Sequence, residues 1–466
     1  MFGEAGWRET SDSVSDANGR LCSALKMKQM LGPRPFGLVR PLILGLGLFV
    51  VYSANARPIG AFDTMPAIYL PVAIIRCDGP FLDRFSTFLQ DDGGYLPRYT
   101  TRSRGHIVSR YPIGPAVLAV PFALPQVLVL DWLDPGWEQG SPWRCLGMAK
   151  NSAAAIAALT GILLLLLLQK LEIRGMALVA ASAASVASNM WCIASQGLWQ
   201  HGLAALALIG SLLLLVSPAV SRTRLILSGL TTAGLVCFRS IDSIFALVIF
   251  AWVVRNHTKS AGWFLPLPIL AGAGLIGYNY YFFETISGGQ AQLEELHREV
   301  HAVAGPWSGN FFAGAAGTLL SPSHGLLVFT PWIAVTLAVV PAIATRLKSS
   351  SLICWLLWSI VPYFILLSKY SVWWGGHCFG PRYWTDLIPL FAILLGFGLE
   401  WSWNRCRSGF MVFAVSIAFS FAVQLVGAFC YPSSWETTPV DVDQHHERLW
   451  DLRDSELTRC LSEGIK

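Results

Sequence analysis

The sequence predicts an all-α, polytopic membrane protein, and three observations carry that prediction. The 466 residues are 54% hydrophobic and only 13% charged, with a mean hydropathy of +0.52. The apolar residues are gathered into runs, among them FGLVRPLILGLGLFVVYSA, SAAAIAALTGILLLLLL, GLAALALIGSLLLLV and FMVFAVSIAFSFAVQLVGAF. Such runs suit helices that cross ~30 Å of hydrocarbon at roughly 20 residues per crossing. The third observation is that Lys and Arg collect in alternate connections between the runs, the bias that sets the sidedness of membrane proteins.

Taken in order, the runs predict about eleven transmembrane helices, at roughly 37–54, 147–169, 175–194, 199–217, 225–238, 243–254, 263–283, 325–345, 351–370, 384–400 and 410–430. Residues 1–36 carry the polar stretch WRETSDSVSDANGR and no cleavage-site pattern after a short apolar core. They read as a cytoplasmic segment before a retained anchor. Lys170 with Arg174, Arg222 with Arg224, Arg255 with Lys259, Arg346 with Lys348, and Arg405 with Arg407 mark inner loops. The alternate connections are poor in Lys and Arg and face outside. The transmembrane domain is then 37–430, with a first outer loop over about 55–146 and an outer tail over 431–466. Within that loop, PAIYLPVAII is apolar but short, which predicts a helix lying in the interface. The four prolines of YPIGPAVLAVPFALPQVLVL, residues 111–130, predict a re-entrant or interfacial segment that leaves the sidedness unchanged.

Ten cysteines stand without CxxC pairs, which argues against a metal cluster or a thioredoxin-like motif. Cys378, Cys430 and Cys460 fall on the outer side. No internal repeat and no nucleic-acid-binding pattern is apparent, and neither metal nor cofactor is expected.

Every unusual polar cluster falls on the outer side. The first outer loop supplies Asp63, Arg76, Asp78, Asp83, Arg110 and Tyr111. SQGLWQHG adds Trp199 and His201, CFRSID adds Arg239 and Asp242, YNYYFFET adds Tyr280 and Glu284, and SPSHG adds Ser321 and His324. The stretch SVWWGGHCFGPRYWTDLIPL, preceded by Lys369, adds Trp373, Trp374, His377, Arg382 and Tyr383. Each has a plain alternative. Arg239 and Asp242, at i and i+3, suit a structural ion pair, the histidines suit hydrogen-bonded structural roles, and the paired tryptophans suit an interfacial belt. Arg239, Lys369 and Arg382, however, sit at outer membrane edges where the charge bias disfavours them, which points to an anionic partner. Guanidinium binds phosphate oxygens through paired donors. Gly375, Gly376 and Gly380 would let backbone approach such a ligand, and Pro381 would start the next helix.

The ordered set AFDTMPAIYLPVAIIR, HIVSRYPIGPAVLAVPF, LWQHG, FRSID, SPSHGLLVFTPW, WWGGHCFGPRYWTDLIPL and YPSSWETTPVDVDQHHERLWDLRDS resembles bacterial membrane proteins of the GT-C glycosyltransferase superfamily, over about 57–455. Within it, the chain looks most like the branch that includes pilin-modifying arabinofuranosyltransferases. The resemblance implies a GT-C-like fold in the bacterial inner membrane with a site facing the periplasm or exterior. It implies a polyprenyl-phosphate-linked sugar donor drawn from membrane lipid, a glycan, lipid or protein acceptor, and inversion at the anomeric carbon. It makes Asp63 the general base, although Thr64 stands where several relatives have a second acid, and Asp83 is the alternative. Arg382, Lys369 and Arg239 then hold the donor phosphate. Trp373, Trp374, His377 and Tyr383 would pack the sugar, with Arg110, Tyr111, His201, Glu284 and His324 completing the substrate site. A lipid-linked sugar transporter and an O-antigen-type ligase using a diphosphate donor remain the other readings.

Overall fold

The computed structural model of the chain describes residues 38–55, 57–91, 94–140, 142–217, 219–348 and 350–465. The expected cytoplasmic segment 1–36 and the inner-loop position Ser349 lie outside the described residues. The chain divides into two compact units, 1–43 and 44–466; of the first, only the opening of the helix Val39–Ser53 is described.

The second unit is a helical membrane bundle. Among the described residues six helices are long and apolar enough to cross a bilayer: Gly114–Leu133, Pro142–Lys170, Ala261–Phe283, Ser351–Lys369, Arg382–Arg405 and Arg407–Cys430. Other expected runs form shorter or interrupted helices. The run at 175–194 becomes Ala177–Val186 followed by a wide π turn at Met190–Ala194. That at 325–345 breaks into Leu326–Phe329, Trp332–Ala338 and Val340–Leu347, because Pro331 and Pro341 each remove a backbone donor. Small side chains let the helices close up. On Pro142–Lys170, Ala153, Ala154, Ala157 and Gly161 are buried, and a Cβ at Gly161 would stand 2.4 Å from Leu48.

Contacts define two ends. At one, Lys170 Nζ donates to the Leu213 carbonyl (2.8 Å), Trp252 Nε1 to Ser351 Oγ (2.8 Å), and Arg346 pairs with Glu400, whose other oxygen accepts the Arg174 amide (3.0 Å). The basic connections gather here. At the other end, the Tyr52 hydroxyl donates to the Ser185 carbonyl (3.0 Å), Arg57 to that of Phe429 (3.1 Å), and Lys150 Nζ to Asn55. The polar clusters gather there.

The proline-rich helix Gly114–Leu133 is continuous, contrary to the expectation that its prolines interrupt it. Pro115 occupies the first turn, where a backbone donor has no partner in any case. Pro121 and Pro125 stand one turn apart inside it, and Gln126 Nε2 donates to the Phe122 carbonyl (3.0 Å). This helix lies across the polar end. Its first turn abuts Cys237, at the close of the helix Arg222–Phe238, and Gln126 also donates to Ser152 Oγ (3.0 Å), beside Lys150. Met65–Ile75, expected as an interfacial helix, has Pro66 to Ala73 buried and packs on Gly114–Leu133.

A small antiparallel hairpin pairs Thr100–Ser103 with His106–Ser109. The segment after residue 430 folds back onto the polar end: Ser321 Oγ donates to the Leu449 carbonyl (2.7 Å), and Glu456 Oε2 accepts the Gly380 amide (2.9 Å). Cys77, Cys145, Cys192, Cys237, Cys354, Cys378, Cys406 and Cys460 are free thiols.

Candidate functional site

At the polar end a cavity of ≈ 540 Å³ opens between the first outer loop and several helix ends. Of the residues the sequence singles out, Asp63, Arg110, Tyr111, His201, Arg239, Arg382 and Tyr383 line it. Asp63 lies in the turn that opens Met65–Ile75. Thr64, in the place of the second acid, ties that turn: its hydroxyl donates to the Ala61 carbonyl (3.0 Å) and accepts the Ala61 amide (2.9 Å). The Asp63 side chain therefore has a fixed origin and projects toward Arg382, whose guanidinium donates to Oδ2 at 3.0 Å. Among the described residues Asp63 pairs with Arg382 and not with Arg57, Arg76 or Arg110. Arg76 instead pairs with Asp131 and Glu138.

Arg382 is placed by aromatics and glycine. Its guanidinium carbon stands 4.8 Å from the Trp199 ring centre and 5.2 Å from that of Tyr383. Gly375 has φ +92°, and a Cβ there would come within 3.0 Å of Arg382 Nε. The close approach expected of these glycines is thus to the arginine side chain itself. Gly376, with φ +70°, likewise faces His301.

Arg239 has a different partner from the one expected. It pairs with Asp386, whose other oxygen lies 2.9 Å from His201 Nδ1, and the Tyr363 hydroxyl donates to the same carboxylate at 3.1 Å. The i, i+3 pairing with Asp242 fails because Arg239 is extended (φ −147°, ψ 129°), so helical spacing does not apply. Asp242 is fully buried in the connection that follows, with both carboxylate oxygens lacking hydrogen bonds, and burial raises its pKa to about 7.

Arg110 is the cation in this cavity without a counter-charge among the described residues. It makes no ion pair, its Nε is buried without a hydrogen bond, and burial lowers its pKa. His297, on the helix Gln290–Val300, adds a neutral imidazole. Burial, with smaller contributions from His301 and Arg382, lowers its pKa to about 4, and its Nδ1 lies 3.4 Å from the Tyr370 hydroxyl.

The remaining predicted residues lie elsewhere. Lys369 Nζ donates to the Gly309 carbonyl (2.8 Å), and Glu284 is an exposed left-handed residue closing the helix Pro266–Phe283. His324 is buried with Nδ1 3.1 Å from the Gly380 carbonyl. Trp373, Trp374 and His377 face the segment after residue 430: Trp373 packs on Trp450, Trp374 Nε1 donates to Asp443 (2.8 Å), and His377 Nε2 lies 3.2 Å from Asp441. Asp83, the alternative base, is 2.8 Å from His106 Nδ1 and does not line the cavity. Sequence reasoning missed Asp386, Tyr363, Tyr370 and His297. Asp386 had one signal: a carboxylate in the first turn of a long apolar run requires a cation.

No protein-family model and no curated protein matches the chain. Among solved structures, it is similar to ArnT from Cupriavidus metallidurans bound to undecaprenyl phosphate, at 14% identity over 84% of this chain and 70% of that one, with a TM-score of 0.43.

Proposed function

We propose that the protein is a glycosyltransferase of the GT-C kind. It moves a sugar from a polyprenyl-phosphate donor to an acceptor hydroxyl at the outer face of a bacterial inner membrane. The observation that carries this reading is one cavity holding Asp63, its partner Arg382 and the unpaired Arg110 at the polar end of a membrane bundle. In the absence of donor, Arg382 occupies the Asp63 carboxylate. The donor phosphate, drawn in by Arg110, competes for Arg382 and frees the Asp63 carboxylate. Asp63 then accepts the proton of the acceptor hydroxyl, whose oxygen bonds to the anomeric carbon. The bond from that carbon to the phosphate oxygen breaks with inversion, and Arg110 and Arg382 stabilise the departing phosphate. Arg239, satisfied by Asp386, holds the wall of the cavity and does not bind phosphate in this scheme. Arabinofuranose as the sugar rests on the sequence resemblance alone, and the acceptor is a glycan, lipid or protein hydroxyl.

The test is transfer from synthetic polyprenyl mono- and diphosphate sugars by purified protein. Asp63→Asn is expected to retain donor binding and lose about 10²–10⁴-fold in turnover. Arg110→Ala is expected to weaken binding of the monophosphate donor while the protein stays folded. Near-normal turnover by a stable Asp63→Asn protein rules out this base, and transfer confined to diphosphate donors replaces the reading with a ligase.

A further inference from the structure

Away from the cavity, three ligand-bearing side chains meet where the segment after residue 430 crosses the glycine loop. His377 Nε2 lies 3.2 Å from Asp441 Oδ1 and 3.4 Å from Asp443 Oδ2. The donor atoms of all three fall within 4.8 Å of one another. We propose that His377, Asp441 and Asp443 bind one divalent transition-metal ion of the zinc–manganese class, which fastens this segment to the glycine loop.

Three features support an ion here over a plain imidazole–carboxylate bridge. A single proton on Nε2 serves one of the two flanking oxygens well, whereas a cation among the three atoms serves them all. Donors around a tetrahedral ion at ~2.0–2.1 Å are spaced by roughly 3.3 Å, close to the two nitrogen–oxygen separations of 3.2 and 3.4 Å, and the two carboxylate oxygens lie within 4.8 Å of each other. Asp443 is also held on its far side. Asp443 Oδ1 accepts from Trp374 Nε1 (2.8 Å) and lies 3.1 Å from His301 Nδ1, which leaves Oδ2 toward His377. His377 Nδ1 is 3.9 Å from Glu436 Oε2. Such outer partners orient metal ligands. His301, about nine-tenths buried, faces Asp443 Oδ1 on the side away from His377.

The donor set selects the class of ion. One imidazole with two carboxylates suits zinc or manganese, whereas calcium and magnesium take oxygen donors. The His377 and Asp441 side chains are 36% and 43% exposed, which provides an entry path and room for water as a further ligand.

The experiment uses the full-length protein in nanodiscs, stripped with a chelator and then freed of it, with zinc and manganese chlorides titrated separately by calorimetry. One equivalent of at least one ion is expected to bind and to raise the apparent melting temperature. His377→Gln and the half-exposed, conservative Asp441→Asn are each expected to weaken binding at least tenfold, whereas Asp83→Asn, which removes another histidine-paired carboxylate, leaves it unchanged. Failure of the wild-type protein to take up either ion overturns the proposal. So does uptake that neither site variant alters, since the ion is then held elsewhere, as by the free thiols. Neither outcome bears on whether Asp63 catalyses transfer.

Discussion

Asp242 shows at the scale of one residue how placement decides chemistry. The i, i+3 spacing suits an ion pair with Arg239, yet the guanidinium turns to Asp386 and leaves the Asp242 carboxylate buried without a hydrogen bond. With a pKa raised to about 7 against an ordinary value near 4, the folded state favours the protonated acid. The resulting penalty is absent below about pH 4, grows between about pH 4 and 7, and is constant above. Asp242→Asn removes this titration. Its melting temperature is therefore expected to match that of the wild type near pH 4 and to exceed it at pH 8; a pH-independent difference would show that the site does not titrate this way. Arg382 was legible in the sequence as a charge in a costly place, and Asp63 through the family resemblance. Their pairing was not, because 319 residues separate them and nothing local reports on a contact of that span.

Among the elements, the stretch SVWWGGHCFGPRYWTDLIPL divides its work. Trp374 and His377 face the segment after residue 430, Arg382 and Tyr383 face the cavity, and Asp386 anchors Arg239 and His201. The polarity of the motif was visible from the sequence, but its split between two neighbours was not, since it depends on where positive-φ glycines turn the chain. Asp386→Ala is expected to leave Arg239 buried without its counter-charge, at a cost of about 3–5 kcal/mol. Thermal denaturation in detergent measures it, and an unchanged midpoint would show that the cluster holds nothing together. The apolar runs were the most legible elements, because composition alone marks them. Their interruptions were harder. Pro331 and Pro341 break a run, whereas Pro121 and Pro125 sit inside an unbroken helix.

For the molecule as a whole, the basic connections lie at one end and the candidate site at the other, the arrangement the charge pattern requires if the basic end is cytoplasmic. Cysteines introduced at Arg174 and at Glu447 in a background lacking exposed thiols test this in intact cells. The position at 447 is expected to react with an impermeant maleimide and that at 174 to stay protected; the reverse pattern would invert the topology and put the cavity on the cytoplasmic face.

The Glu456 carboxylate that holds the Gly380 amide belongs to a part of the chain made 76 residues later. At about 5–20 residues per second, roughly 4–15 s pass between synthesis of the glycine loop and arrival of the side chain that fastens it. Helices can enter the bilayer during that interval, but the loop behind Arg382 stays unfastened. Assembly of the membrane bundle and completion of the candidate site are thus separate events in time, and a nascent chain stalled before residue 456 would be inserted while its site remained unfinished.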